Sequence, residues 1–148
     1  MSYHLACNLG YRIAGVASVG GSMTPNTYET CSPNQPTAIV HIHGVDDTVV
    51  PIDGNGRSTP LTDMIDYWKN YNACDQETIF VLPDLNDDGY GGSLYRYYGC
   101  LNNVDVQLFL MDQIAHDWPT DLNDYDIIAA DEIWNFLKEF DINGRIAQ

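Results

Sequence analysis

The chain has 148 residues, one domain's worth, and 45% of them are apolar, which fits a globular protein with a sizeable core. Its 21 acidic and 6 basic residues give a net charge of −15. That balance argues against nucleic acid and against anionic membranes as partners, since both require a Lys/Arg face. No stretch approaches the roughly 20 apolar residues of a membrane span. Met1-Ser2-Tyr3-His4 has neither the basic start nor the apolar run of a signal peptide, so localisation is left open.

Residues 1–9 are expected to be the end of a helix, with Leu5 and Leu9 four apart and Gly10 as a stop. A short apolar strand is expected over 13–19, ending at Gly20-Gly21, then a polar, Pro-containing loop over 22–36. The run 38–43 is nearly all apolar, as suits a parallel strand covered on both faces. Thr59-Pro60 opens a helix whose buried stripe is Leu61, Met64, Ile65 and Trp68. Strands over 77–82 and 93–98 flank an Asp/Asn/Gly turn and form a hairpin. The last strand spans 104–111. A closing helix over 124–140 takes its apolar faces from Ile127, Ile128, Ile133, Trp134, Phe136, Leu137 and Phe140. This order predicts an α/β fold: a short, mainly parallel sheet flanked by helices, with a β-hairpin insert.

Cys7, Cys31, Cys74 and Cys100 contain no Cys-x-x-Cys, which disfavours a zinc ribbon or redox motif. Two disulfides would require an oxidising compartment. Spacing alone leaves three pairings open. Cys74 and Cys100 bracket the helix–hairpin unit and are the expected pair, which leaves Cys7 with Cys31.

Two loops carry candidate chemistry. His43-Gly44-Val45-Asp46-Asp47-Thr48-Val49-Val50-Pro51 follows the second strand, and His116-Asp117-Trp118-Pro119 follows the last. Open α/β sheets build their sites in such loops. A serine hydrolase of this kind runs Ser, acid, His along the chain, with the Ser in a Gly-x-Ser-x-Gly elbow. The acid and the His are present in that order, and no Gly-x-Ser-x-Gly occurs. Ser18 lies inside a strand and lacks the first Gly of the elbow; Ser22 and Ser93 precede no clear helix, and Ser2 lies on the first helix. All four are read as turn, strand or helix serines. Cys7 is read as a structural thiol rather than a nucleophile.

The other candidates have plainer readings. His41 and His43, two apart on a strand, share one face, but zinc would need further ligands, so they are expected to be core or loop histidines. Asp84-Leu85-Asn86-Asp87-Asp88-Gly89 matches the front half of a calcium loop. Its twelfth position is Tyr95 rather than a bidentate Glu, so a hairpin turn is expected. Tyr90, Tyr95, Tyr97 and Tyr98 are assigned to packing, and Trp68 and Trp134 to the core.

Taken in order, five segments resemble the polyhydroxybutyrate depolymerase-like esterases, a branch of the α/β-hydrolases that includes feruloyl and acetylxylan esterases. They are Met1 through Cys7, Ala14 through Met23, His41-Ile42-His43-Gly44 with Asp47 and Val50-Pro51, Leu82-Pro83-Asp84 through Tyr98-Gly99-Cys100, and His116-x-Trp118-Pro119. Ala115 stands where such esterases usually have Gly. The resemblance implies that 1–148 is a single domain corresponding to the C-terminal half of an α/β-hydrolase, with the elbow and oxyanion-hole loop ahead of it. It implies His116 as the catalytic base, Asp47 as the orienting acid with Asp46 as its rival, and Trp118 at the substrate. The implied function is a carboxylic-ester hydrolase by descent, acting on short-chain, hydroxyalkanoate or cinnamoyl esters, small or polymeric, with no metal and no cofactor. The alternative is a non-catalytic α/β-hydrolase fragment acting through self-association or partner binding. The implied setting of the family is secreted or periplasmic. In either case strand 13–19 becomes an apolar edge, which predicts a homodimer or docking with a separate N-terminal partner.

Overall fold

In the computed structural model, which describes residues 1–147, the chain forms a mixed, mostly parallel sheet flanked by helices, an α/β arrangement. The strands are β1 (Gly15–Val19), β2 (Ala38–Gly44), β3 (Gln76–Leu82), β4 (Gly92–Tyr98) and β5 (Val106–Met111). Their order is β1-β2-β5-β4-β3. β1, β2 and β5 pair in parallel, and β4 runs antiparallel to both β5 and β3. So β1, β2, β3 and β5 point one way and β4 the other. The helices are α1 (Ser2–Leu9), α2 (Pro25–Thr30), α3 (Leu61–Tyr71) and α4 (Ala129–Leu137), and β6 (Phe140–Asp141) with β7 (Gly144–Arg145) make a small ribbon.

β2 sits between two strands with a helical layer on each side, and all seven of its residues are buried. This is why its sequence is nearly continuous in apolar residues. Side chains alternate across it. Ile39 joins Tyr3, Ala6, Met64, Ile65 and Trp68 beneath α1 and α3, whereas Ala38, Val40 and Ile42 join Phe109, Met111 and Phe136 beneath α4. His41 and His43 share the face of Ile39 and point toward α1. Both disulfides form as expected: Cys7–Cys31 ties α1 to the end of α2, and Cys74–Cys100 ties the end of α3 to the end of β4.

Several expectations are corrected. The closing helix is shorter than 124–140 because Asp124 is left-handed (φ 56°) and ends a 3-10 turn over Asp121–Asn123, so α4 starts only at Ala129. Trp134, expected in the core, is 67% exposed; α4 buries Ala129 and Phe136 instead. Gly10 does not stop α1 with a left-handed turn. It is helical (φ −51°) and opens a 3-10 turn, and α1 buries Tyr3, Ala6 and Cys7 rather than Leu5. The loop 22–36 contains α2, started by Pro25 at its first position and by the Thr24 hydroxyl, which accepts from Thr27 N–H at 3.2 Å. β5 begins two residues later than expected, at Val106, after a buried Asp105 that pairs with Arg96 and Arg145. The hairpin β3–β4 is not an insert: it extends the sheet beyond β5.

Candidate active site

Three loops meet at the ends of the parallel strands. The turn after β1 begins at Gly20, the acid loop follows β2, and the histidine loop follows β5. The last two are joined backbone to backbone, by Val45 N–H to Met111 O (2.8 Å) and Asp46 N–H to Ile114 O (3.0 Å). A Cβ on Gly44 would lie 2.0 Å from Ile114 O, so only glycine permits this approach.

Within this junction His116 Nδ1 lies 2.8 Å from Asp47 Oδ2. Asp47 is 3% exposed, and its Oδ1 accepts from the backbone N–H groups of Val49 (2.9 Å) and Val50 (2.8 Å). Burial alone would raise the carboxyl pKa. The Val50 N–H, the His116 ring and the Val49 N–H outweigh it and hold the group below the usual carboxylate range. An ionised carboxylate only accepts, so His116 donates to it from Nδ1. The His116 side chain is 44% exposed, in contrast to the buried carboxylate it meets. Asp46, the adjacent rival, is exposed, and the His116 contact goes to Asp47.

Gly20 closes the site from the β1 side. Its backbone is left-handed (φ +58°), and a Cβ there would sit 3.2 Å from His116 Nδ1 and 3.5 Å from Asp47 Oδ2. Beyond His116, Asp117 organises the loop: its carboxylate accepts from Trp118 N–H (2.8 Å), Asn123 Nδ2 (2.9 Å) and the Tyr125 hydroxyl (2.8 Å). The Tyr125 and Trp118 bonds hold its carboxyl below the ordinary range. Trp118 is about half exposed beside the site. An open groove of about 620 Å³ runs from Val45 and Asp46 to Leu82, Pro83, Asp84 and Asp112.

The remaining sequence candidates fall elsewhere. Ser18 and Ser22 donate their hydroxyls to Gly21 O (3.1 Å) and Thr59 O (2.7 Å), and Ser93 lies within β4. Asp84 accepts from the backbone N–H groups of Asp88 and Gly89, as a turn requires, and Tyr95 pairs with Leu108 in the sheet. Carboxylates of Asp84, Asp88 and Asp126 lie within 4.8 Å of one another. The tyrosines disperse: Tyr95 and Tyr97 pack toward α3, and Tyr90 meets Tyr125 edge to face at 4.8 Å. His41 and His43 are buried and stacked, 5.1 Å between ring centres. Sequence reasoning missed Gly20, Asp117 and the Val49/Val50 amides. Gly20-Gly21 after a strand was the one visible signal for them.

At the ends of the parallel strands, then, a buried carboxylate and a part-exposed imidazole stand in hydrogen-bond contact. No protein-family model matches the chain. A probable feruloyl esterase C from Aspergillus niger is 27% identical to it over 138 residues, which is 93% of this chain and 45% of that protein. The likeness suggests an esterase-like relationship, and the chain spans about half the length of this relative. The two disulfides are compatible with a secreted setting.

Proposed function

We propose that this chain carries the acid–base half of a serine-type carboxylic-ester hydrolase site on an α/β-hydrolase framework, residues 1–148 acting as one domain. The observation that carries this reading is the 2.8 Å contact of His116 with a buried Asp47 held by two backbone amides. In the proposed chemistry His116 Nε2 takes the proton of a hydroxyl nucleophile as that oxygen attacks the ester carbonyl. It then returns the proton to the leaving alcohol. Asp47 holds the ring in the tautomer with Nδ1 protonated and stabilises the imidazolium. Trp118 and the groove beside Asp46 would contact the ester, of short-chain, hydroxyalkanoate or cinnamoyl type.

The nucleophile in this reading comes from a polypeptide segment outside the 148 residues, presented along the β1 edge. Among the described residues that edge has no neighbour in the sheet, which supports association there, with such a segment or with a second copy. Mass spectrometry after incubation with p-nitrophenyl acetate tests the nucleophile. No serine acyl adduct is expected, and an acylated Ser18, Ser22 or Ser93 would overturn its placement outside the chain. Sedimentation across a wide concentration range tests the second copy. A dimer supports it, and a strict monomer removes it.

A further inference from the structure

Three of the buried titratable groups that the mechanism above leaves unused are linked to one another. Tyr3 on α1 and His41 and His43 on β2 are each 3% exposed or less. Tyr3 Oη lies 2.6 Å from His41 Nδ1, His41 Nε2 lies 2.9 Å from His43 Nδ1, and His43 Nε2 lies 2.8 Å from Val50 O. The far end fixes the direction of the whole string. A carbonyl oxygen only accepts, so His43 must carry its proton on Nε2. Its Nδ1 is then an acceptor, which requires His41 to donate from Nε2. His41 Nδ1 is in turn an acceptor, and the Tyr3 hydroxyl donates to it. Each group has one role, and each ring is neutral.

Burial supports the same assignment. It lowers the pKa of His41 well below the ordinary value, with the neighbouring His43 acting in the same direction. Burial also lowers His43, against the opposing pull of Val50 O and Asp47. It pushes the Tyr3 phenol far above its usual range, which keeps the donor protonated.

The string ends on the loop that holds the acid. Val50 receives His43 at its carbonyl and donates its own N–H to Asp47 Oδ1. His43 Nε2 is also 3.6 Å from Asp47 Oδ2, the oxygen that meets His116.

We propose that Tyr3, His41 and His43 form a one-way buried hydrogen-bond relay that fastens α1 to the acid loop, with His43 as a positioning residue for Asp47. Its value for ester chemistry rests on the function proposed above. The segment Met1 through Cys7, which forms most of α1, resembles the helix that follows the nucleophile in such esterases, so in that reading the relay would set the register between nucleophile and acid. The relay itself needs no activity to be tested.

Nitrogen-15 NMR of the histidine rings reads it directly in the unmodified chain. His41 and His43 are expected as neutral Nε2–H tautomers from about pH 8 to about pH 5.5, across the range where free histidine titrates. An Nδ1–H tautomer, or a doubly protonated ring within that range, would overturn the proposal. Tyr3→Phe keeps the ring in place and removes the donor. It is expected to move the ring-nitrogen resonances of His43 as well as His41, and a shift confined to His41 would break the relay.

Positioning is read by amide exchange at Val49 and Val50. His43→Leu fills space without hydrogen bonding and should speed that exchange about tenfold or more, whereas His43→Gln, with a donor and an acceptor, should stay within about threefold of the parent. Equal exchange in the two variants would reduce His43 to packing. Loss of ester hydrolysis with these signatures intact would instead count against the functional reading alone.

Discussion

The buried Asp47 carboxylate and the half-exposed His116 ring, 69 residues apart in sequence, meet at 2.8 Å because their two loops are joined by backbone hydrogen bonds. The carboxylate is anchored before the histidine arrives, since its other oxygen takes the amides of Val49 and Val50. Removing it therefore disturbs more than one contact. Asp47→Ala leaves two part-buried backbone amides without their acceptor and is expected to cost about 1–3 kcal/mol, read as a lower urea midpoint. Asp46→Ala, at an exposed position, should stay within about 0.5 kcal/mol of the parent.

Gly20 packs on the same pair. Gly20→Ala forces a side chain into a left-handed backbone and places a methyl 3.2 Å from His116 Nδ1. A loss of about 1–2 kcal/mol is expected, with displaced His116 ring resonances in NMR. Gly56→Ala is the control, because its Cβ would meet nothing within 4 Å. Equal effects at the two glycines would contradict the close approach.

Acid should weaken the fold in two windows. His41 and His43 have folded pKa values below their unfolded ones, so the unfolded chain binds protons that the fold excludes. Their contribution is complete above the unfolded histidine pKa of about 6.5 and is lost as pH falls below it, by up to about 1.4 kcal/mol per pH unit for each ring. Asp47 is also depressed; its contribution is complete above its unfolded pKa and fades as pH falls from there through the lower folded value. Urea midpoints measured from pH 8 to pH 4 should thus begin to fall near neutrality. A flat profile down to about pH 5 would mean that the buried histidines are not held neutral.

The two disulfides, with sequence separations of 24 and 26 residues, each constrain the unfolded chain. Removing either pair by Cys→Ser should cost about 2–4 kcal/mol. Cys74–Cys100 joins α3 to the end of β4, and its loss should loosen the hairpin, read as faster amide exchange in β3 and β4.

Periodicity and composition made the core of this fold legible before any coordinates. The apolar run of β2 and the Leu61–Met64–Ile65–Trp68 stripe of α3 stand where their patterns placed them, and the cysteines, whose spacing left three pairings open, join as the bracketing of the helix–hairpin unit suggested. The pattern failed where a local contact overrides propensity. The apolar periodicity of 124–140 predicts one helix, but left-handed Asp124 and the Tyr125–Asp117 hydrogen bond keep its first part in the histidine loop, so the helix begins late and Trp134 faces solvent. At the site, chain order made Asp47 and His116 visible. Gly20 and Asp117 were not, because their roles depend on which loops meet in space. The His41–His43 spacing showed a shared face, while the Tyr3 hydroxyl that completes the string comes from a helix 38 residues away in sequence.

Hydrolysis of p-nitrophenyl acetate by the purified chain, compared with His116→Ala, tests the central claim most directly. The account predicts slow turnover by general-base action of His116 on water, without an acyl-enzyme burst. His116→Ala should lower the protein-dependent rate by about tenfold or more, and Asp47→Asn should follow in the same direction. A rate unchanged in folded His116→Ala would contradict the account and leave the pair as a structural contact.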